Sequence, residues 1–337
     1  MIKSLDQKLK AILADPQGCG EFIIADAKDA DMAFGATAPG PSSEGRYKSL
    51  EDYREQIRAV VGQGLVDIML MSASNVEQLA IRERLFEGSA VTPAARANDT
   101  TDIWLPRGGS YAASASRPFR SASLDHIKYG EATNDHTQPA RGADLGLYSL
   151  TFVNDRDRDH ETLTAYARFR EEAERKQFRH FLEVFNPNVD GAVPPDAVGS
   201  FLNDHIVRSL AGVTSSQRPL FLKIPYNGPA ALEELVSYDP HLVVGILGGG
   251  AGTTRDAFQL IHDARKHGAR VALYGRKINY SEHPLAFIAC LRRIVQGELS
   301  PTDAVKAYHD ELGRERIVPL RSLDADLELT ETALRYG

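Results

Sequence analysis

The chain reads HFLEVF at residues 180–185 and LFLKIP at 220–225, then LVVGIL at 242–247 and RVALY at 270–274. Each run is short, continuously apolar and bounded by turn residues, and a helical pattern follows each one. Continuous rather than alternating apolarity is what parallel strands covered by helices on both ends of a crossover require. Working outward, LYSLTFV (147–153) precedes them, and FIIAD (22–26), VDIMLM (66–71) and AVTPAARA (90–97) repeat the rhythm less cleanly in the front half. That makes eight strands, the number of a (β/α)₈ barrel. A doubly wound open sheet is the rival, weakened because no Gly-rich turn follows the first strand.

Helices are expected at 48–62, 75–86, 159–178, 197–211, 228–236, 254–267, 284–296 and 302–313. Asp159 suits the N-cap of the third, and Thr253 or Thr254 that of the sixth. The domain expectation is one α/β barrel over 1–337. A polar amphipathic helix occupies 1–20, an inserted loop or lid 104–144, and a C-terminal extension 314–337. A second excursion, FGATAPGPSSEGRY (34–47), follows strand 1. Both excursions follow C-terminal strand ends, so each reads as a substrate-covering lid or as a surface excursion.

Composition bounds the function. The 337 residues are 42% hydrophobic and 25% charged, as in soluble globular proteins. A net charge of −7 and a pI near 5.8 argue against nucleic acid as a partner. No stretch of 18 apolar residues occurs, so no membrane segment is expected, and the N-terminus lacks the apolar core of a signal peptide. Two cysteines, Cys19 and Cys290, far apart, fit a reducing cytoplasm rather than a disulfide framework.

Lys223, inside LFLKIP, is the sharpest chemical feature. A lysine in a barrel mouth loses solvation, which favours the neutral amine that attacks a ketone. The bland alternative is a lysine that snorkels outward past a helix. Glu183 stands at the matching place in the preceding strand, either as the proton-transfer partner of that lysine or as one half of a structural ion pair. Asp26 ends strand 1 with Lys28 two residues on, as a hydrogen-bonded structural acid or a group handling a substrate hydroxyl. Arg96 and Asp99 are expected near the pocket without a role. GILGGGAGTTRDAF (245–258) offers Gly248, Gly249 and Gly250 ahead of a helix N-terminus. LYGRKINY (273–280) adds Gly275, Arg276 and Lys277, so two anion-suited loops follow strands 7 and 8. Four Asp-His pairs (125–126, 135–136, 159–160, 204–205) raise a metal-dependent enzyme, but no His ends an expected strand.

The succession FLEVF, LFLKIP, a Gly-rich loop and a Gly-Arg, with the ending YGRKINYSEHPLAFIACLRRIVQGELSPTDAVKAYHDE, resembles the class I (Schiff-base) aldolases of the tagatose-1,6-bisphosphate and fructose-bisphosphate type. The resemblance covers about residues 145–315, and 20–100 only in rhythm. It implies a lyase that cleaves or forms a C–C bond of a phosphorylated ketose or related sugar, with no metal or organic cofactor. Lys223 would form the imine and Glu183 act as acid/base. Asp26 would face the sugar, and Gly249, Gly250 and Arg276 would hold a phosphate. Strand 1 departs from the family's Asp-Gln-Arg with Asp26-Ala27-Lys28. Where the family has a second lysine on strand 4 this chain offers Tyr148, able to donate a proton but not a positive charge. Transaldolase, thiolase and dehydratase chemistry use a lysine in the same place. A non-catalytic sugar-phosphate-binding barrel is a further alternative. Such barrels often assemble as homo-oligomers, and the sequence identifies no face for it.

Overall fold

The computed structural model describes residues 2–42, 45–250 and 252–335. Its centre is a closed parallel barrel of eight strands: β1 (Ile23–Lys28), β2 (Ile68–Met71), β3 (Thr92–Arg96), β4 (Leu145–Thr151), β5 (Arg179–Phe185), β6 (Leu222–Ile224), β7 (Val244–Leu247) and β8 (Val271–Tyr274). All eight coincide with the apolar runs of the sequence, and closure excludes the open sheet. The fold is an α/β TIM barrel. A two-residue antiparallel ladder, Asp99–Thr100 with Pro118–Phe119, stands outside it.

Among the described residues eight α-helices of ten residues or more coat the sheet or close its end: α1 (Ser4–Ala14), α2 (Leu50–Gln63), α3 (Arg156–Arg175), α4 (Val198–Ala211), α5 (Pro229–Tyr238), α6 (Thr254–Lys266), α7 (Pro284–Val295) and α8 (Pro301–Arg314). Residues 75–86, expected as a regular helix, wind instead as a π-helix over Val76–Arg82, ended by the left-handed Arg84 (φ 56°). Asp159 does not cap α3. That helix starts three residues earlier than expected, with Asp155 accepting from the Asp157 and Arg158 amides, and Asp159 accepts from Val153 N. Thr253 caps α6 in a capping box with Asp256.

Strand parity decides which side chains enter the lumen. Ile23, Ala25, Ile68, Leu70, Ala94, Leu145, Leu147, Phe181, Phe221, Val243, Val271 and Leu273 fill it, and Leu5, Leu9 and Ile12 of α1 join the same cluster. Those three recur at helical spacing, so α1 turns one apolar face to the barrel floor. Lys3 donates to the carbonyls of Phe86, Ser89 and Val91 just ahead of β3, which pins α1 to the N-terminal end of the strands. The C-terminal end is left as the open mouth.

Outward residues meet the helices. His180 of β5 is buried against Tyr166 and Phe169, its Nε2 2.9 Å from the Tyr166 hydroxyl. Burial first, and Arg170 second, push its pKa down to about 3. An unfolded histidine binds its proton near pH 6.5, so the folded chain binds fewer protons between these values. The stability from keeping His180 neutral is therefore complete above pH 6.5 and lost as pH falls. Relative to His180→Phe, the protein is expected to lose about 2 kcal/mol of unfolding free energy between pH 7 and pH 5, read from denaturant melts. Parallel pH curves for the two proteins would rule this out.

Candidate active site

The register brings Ser149, Glu183 and Lys223 of β4, β5 and β6 side by side, each at an inward position. Lys223 Nζ lies 2.6 Å from Glu183 Oε1, with both side chains almost fully buried. The angles at that oxygen fall outside hydrogen-bond geometry, so the contact is an ion pair. The other oxygen is held. Ser149 donates to Glu183 Oε2 at 2.5 Å, and Arg96 Nη2 stands 3.6 Å from it.

Arg96 ends β3 on the inward face and bridges three strands. Its Nε donates to Asp29 at 2.6 Å and its Nη1 to Ser149 Oγ at 3.0 Å. Burial pulls its pKa down, but the carboxylates of Asp29 and Glu183 outweigh that and hold it above the ordinary value. Asn98 fixes Ser149 from the backbone side, accepting from Ser149 N and donating to Ser149 O.

Above this layer is a cavity of about 200 Å³. Asp29, Arg96, Glu183 and Lys223 line it, together with Gly248, Gly249, Gly275 and Arg276 from the loops after β7 and β8. Gly249 has φ +64°, a conformation that favours glycine. Gly250 lines an adjoining recess of about 330 Å³, and a Cβ there would meet the Arg276 guanidinium at 2.2 Å. The missing side chain at 250 is thus the space in which Arg276 lies. Lys277 donates to the carbonyls of Gly252 and Thr253, tying the two loops together, and burial lowers its pKa to about 8.

The N-terminus of α6 is already occupied. Asp256 accepts from Thr253 N, and Asp326 of the C-terminal extension accepts from Thr254 N. The expectation that this helix aims its positive end at a substrate anion is corrected: two carboxylates of the chain fill that role. Asp256 also accepts from the Thr330 hydroxyl and from the Thr330 and Glu331 amides, clamping the extension. Burial alone raises its pKa, but these bonds outweigh it and hold the carboxyl below the usual value. Asp256→Ala strands several buried donors, so a loss of about 2–4 kcal/mol is expected. The readouts are a lower denaturant midpoint and faster trypsin cleavage after the exposed Arg321. An unchanged midpoint would show that the extension adds nothing.

Three residues singled out in the sequence do not reach the cavity. Asp26 and Lys28 alternate with the inward Ala25 and Ala27, so both point out toward α2 and the turn containing Asn279. Lys28 donates to Asn279 Oδ1, stands 3.5 Å from Asp26 Oδ2 and lies over the Tyr53 ring. Burial, only partly offset by Lys28, raises the Asp26 pKa to about 6. This is a buried ion pair in the outer layer. Tyr148 likewise faces outward, its ring 4.4 Å from Phe169 and 5.1 Å from Tyr166. Ser149 takes the inward place. Sequence reading also passed over Asp29 and Ser149. The inward alternation Ile23, Ala25, Ala27 leads to Asp29, but the charged Asp26 and Lys28 stand on the outer face, so polarity marks the wrong side of the strand. Among the described residues no three His, Cys, Asp or Glu side chains converge as metal ligands. No helix among them is long and apolar enough to cross a membrane.

No family model matches the sequence, and no curated protein matches it. Solved structures do match. The Schiff-base-forming fructose-1,6-bisphosphate aldolase is similar at 15% identity and a TM-score of 0.61, covering 86% of this chain and 99% of that one. An archaeal fructose 1,6-bisphosphate aldolase aligns at 15% identity and 0.59 over the same shares. The fructose-bisphosphate aldolase of Slackia heliotrinireducens aligns at 14% identity and 0.61, over 91% of each chain. The chain therefore has the barrel fold of these aldolases.

Proposed function

We propose that the protein is a class I aldolase, a lyase that cleaves or forms a C–C bond next to a ketone through an imine on Lys223. The observation that carries this reading is the pairing of Lys223 Nζ with Glu183 Oε1 at 2.6 Å, buried at the base of a cavity that also holds Arg276. Support comes too from structural neighbours described as Schiff-base forming, one with its catalytic Lys bound to a carbinolamine intermediate.

In this mechanism the Lys223 ammonium passes a proton to Glu183 Oε1, the freed amine adds to the substrate carbonyl carbon, and the carbinolamine hydroxyl takes that proton from Glu183 and leaves as water, giving an iminium beside the Glu183 carboxylate. Glu183 Oε1 takes the proton of the hydroxyl on the far carbon of the bond to be broken. That C–C bond breaks, its electron pair moves into the iminium, and an aldehyde departs from an enamine. Glu183 returns the proton to the enamine carbon. One water then hydrolyses the iminium, releasing the ketone and restoring the Lys223 ammonium beside the Glu183 carboxylate. Ser149 and Arg96 hold the second carboxylate oxygen, so Glu183 is oriented before substrate arrives. Arg276, with the amides of Gly249 and Gly275, receives a phosphate, whose binding orients the reacting carbons. Tyr148, Asp26 and Lys28 have no part in it.

The test is incubation with dihydroxyacetone phosphate and sodium borohydride, followed by intact mass and peptide mapping. The expected result is one reduced adduct on the Lys223 peptide. Absence of any adduct across ketose phosphates, pyruvate and simple aldehydes would overturn the reading.

A further inference from the structure

The charges around the cavity cancel in pairs, except one. Lys223 faces Glu183 at 2.6 Å and Arg96 faces Asp29 at 2.6 Å. Arg276 pairs with no carboxylate among the described residues, and its guanidinium lies over the Phe34 ring, 5.8 Å from its centroid. All five of these charged groups line the same cavity, so it presents one uncompensated positive charge.

The rest of the wall is largely hydrocarbon. Ala33 and Phe34 follow β1, Ile103 and Leu105 belong to the long segment after β3, and Phe185 ends β5. Leu105 N donates to Ala33 O at 2.8 Å, which fixes these two loops to each other across the mouth. Ala33, Phe34, Ile103, Leu105 and Phe185 are all only half-buried. A ligand that covers them removes apolar surface from water, which favours a hydrocarbon body. A second phosphate set against the same side chains would lose its hydration with no counter-charge to replace it.

Resting on the imine reading, we infer that the substrate carries a single anionic group, held at Arg276, on an otherwise apolar body. It is an aldol monophosphate whose departing aldehyde is an unphosphorylated alkyl or aryl aldehyde. The long segment between β3 and β4 contributes to this selectivity through Ile103 and Leu105. A sugar bisphosphate is the substrate class that this wall excludes.

The test uses two probes without a carbonyl, so that it does not depend on imine chemistry. Binding of n-hexyl phosphate and of hexane-1,6-diyl bisphosphate to the whole protein is measured by titration calorimetry. The monophosphate is expected to bind about tenfold tighter or more, the scale of discrimination that an unpaired buried charge imposes. Arg276→Ala should weaken the monophosphate by at least about tenfold. Leu105→Lys supplies the missing counter-charge on a half-exposed residue and should narrow or reverse the order. Ile103→Lys serves the same purpose if that protein folds poorly by circular dichroism. Tighter binding of the bisphosphate to the unmodified protein, or no measurable binding of the monophosphate, overturns the inference. The borohydride adduct with dihydroxyacetone phosphate reports the imine reading separately. An adduct without monophosphate preference sinks the substrate class alone. Preference with no adduct across ketose phosphates, pyruvate and simple aldehydes leaves the selectivity standing and sinks the aldolase.

Discussion

Replacing Lys223 with alanine is expected to lower kcat/KM for aldol cleavage by about 10⁴-fold or more, because among the described residues no other lysine lines the cavity to hold the substrate as an imine. The borohydride adduct should vanish with the activity. The substitution also removes one partner of a buried ion pair, which commonly costs about 3–5 kcal/mol. Here the cost should fall at or below the low end of that range, since Arg96 still stands 3.6 Å from Glu183 and Ser149 still donates to it. A thermal melt of the variant separates the two effects. A cooperative melt with lost activity supports a chemical role. Full activity in a folded variant would end the imine hypothesis, whatever the neighbours do.

Glu183→Gln should split the reaction. Removal of a general acid/base costs about 10²–10⁴-fold in turnover. The amide keeps the shape of the carboxyl and can still accept from Ser149, but it cannot carry a proton between the hydroxyl and the enamine carbon. The amine at 223 remains, so the reduced adduct with dihydroxyacetone phosphate should still form, more slowly. Low turnover with a retained adduct is the signature expected. Turnover within a few-fold of the unmodified protein would assign Glu183 to a structural ion pair and move the proton-transfer role elsewhere, with Asp29 the nearest remaining carboxylate in the cavity.

The sequence by itself determined the barrel. Eight apolar runs, most of the helices between them and the Thr253 cap of α6 are local properties, set by burial of a strand on both faces and by the capping preference of Thr, whereas the cap of α3 fell to Asp155 rather than Asp159. It also set Lys223 and Glu183 at matching heights on neighbouring strands, because polar residues inside apolar runs stand out. The side of the sheet was not legible. In β1 and β4 both faces are buried, one by the lumen and one by helices, so a polar residue in the run marks neither side as the pocket. Only closure of the sheet turned Asp26, Lys28 and Tyr148 outward and Asp29 and Ser149 inward. Other features come from residues distant in the chain. Arg96 meets Asp29 from two strands away, Asp326 fills the N-terminus of α6 from 72 residues downstream, and Ile103 and Leu105 reach the mouth along a segment with no regular pattern. Such contacts follow from where the packed chain brings ends and loops together, a property that no local window of sequence contains.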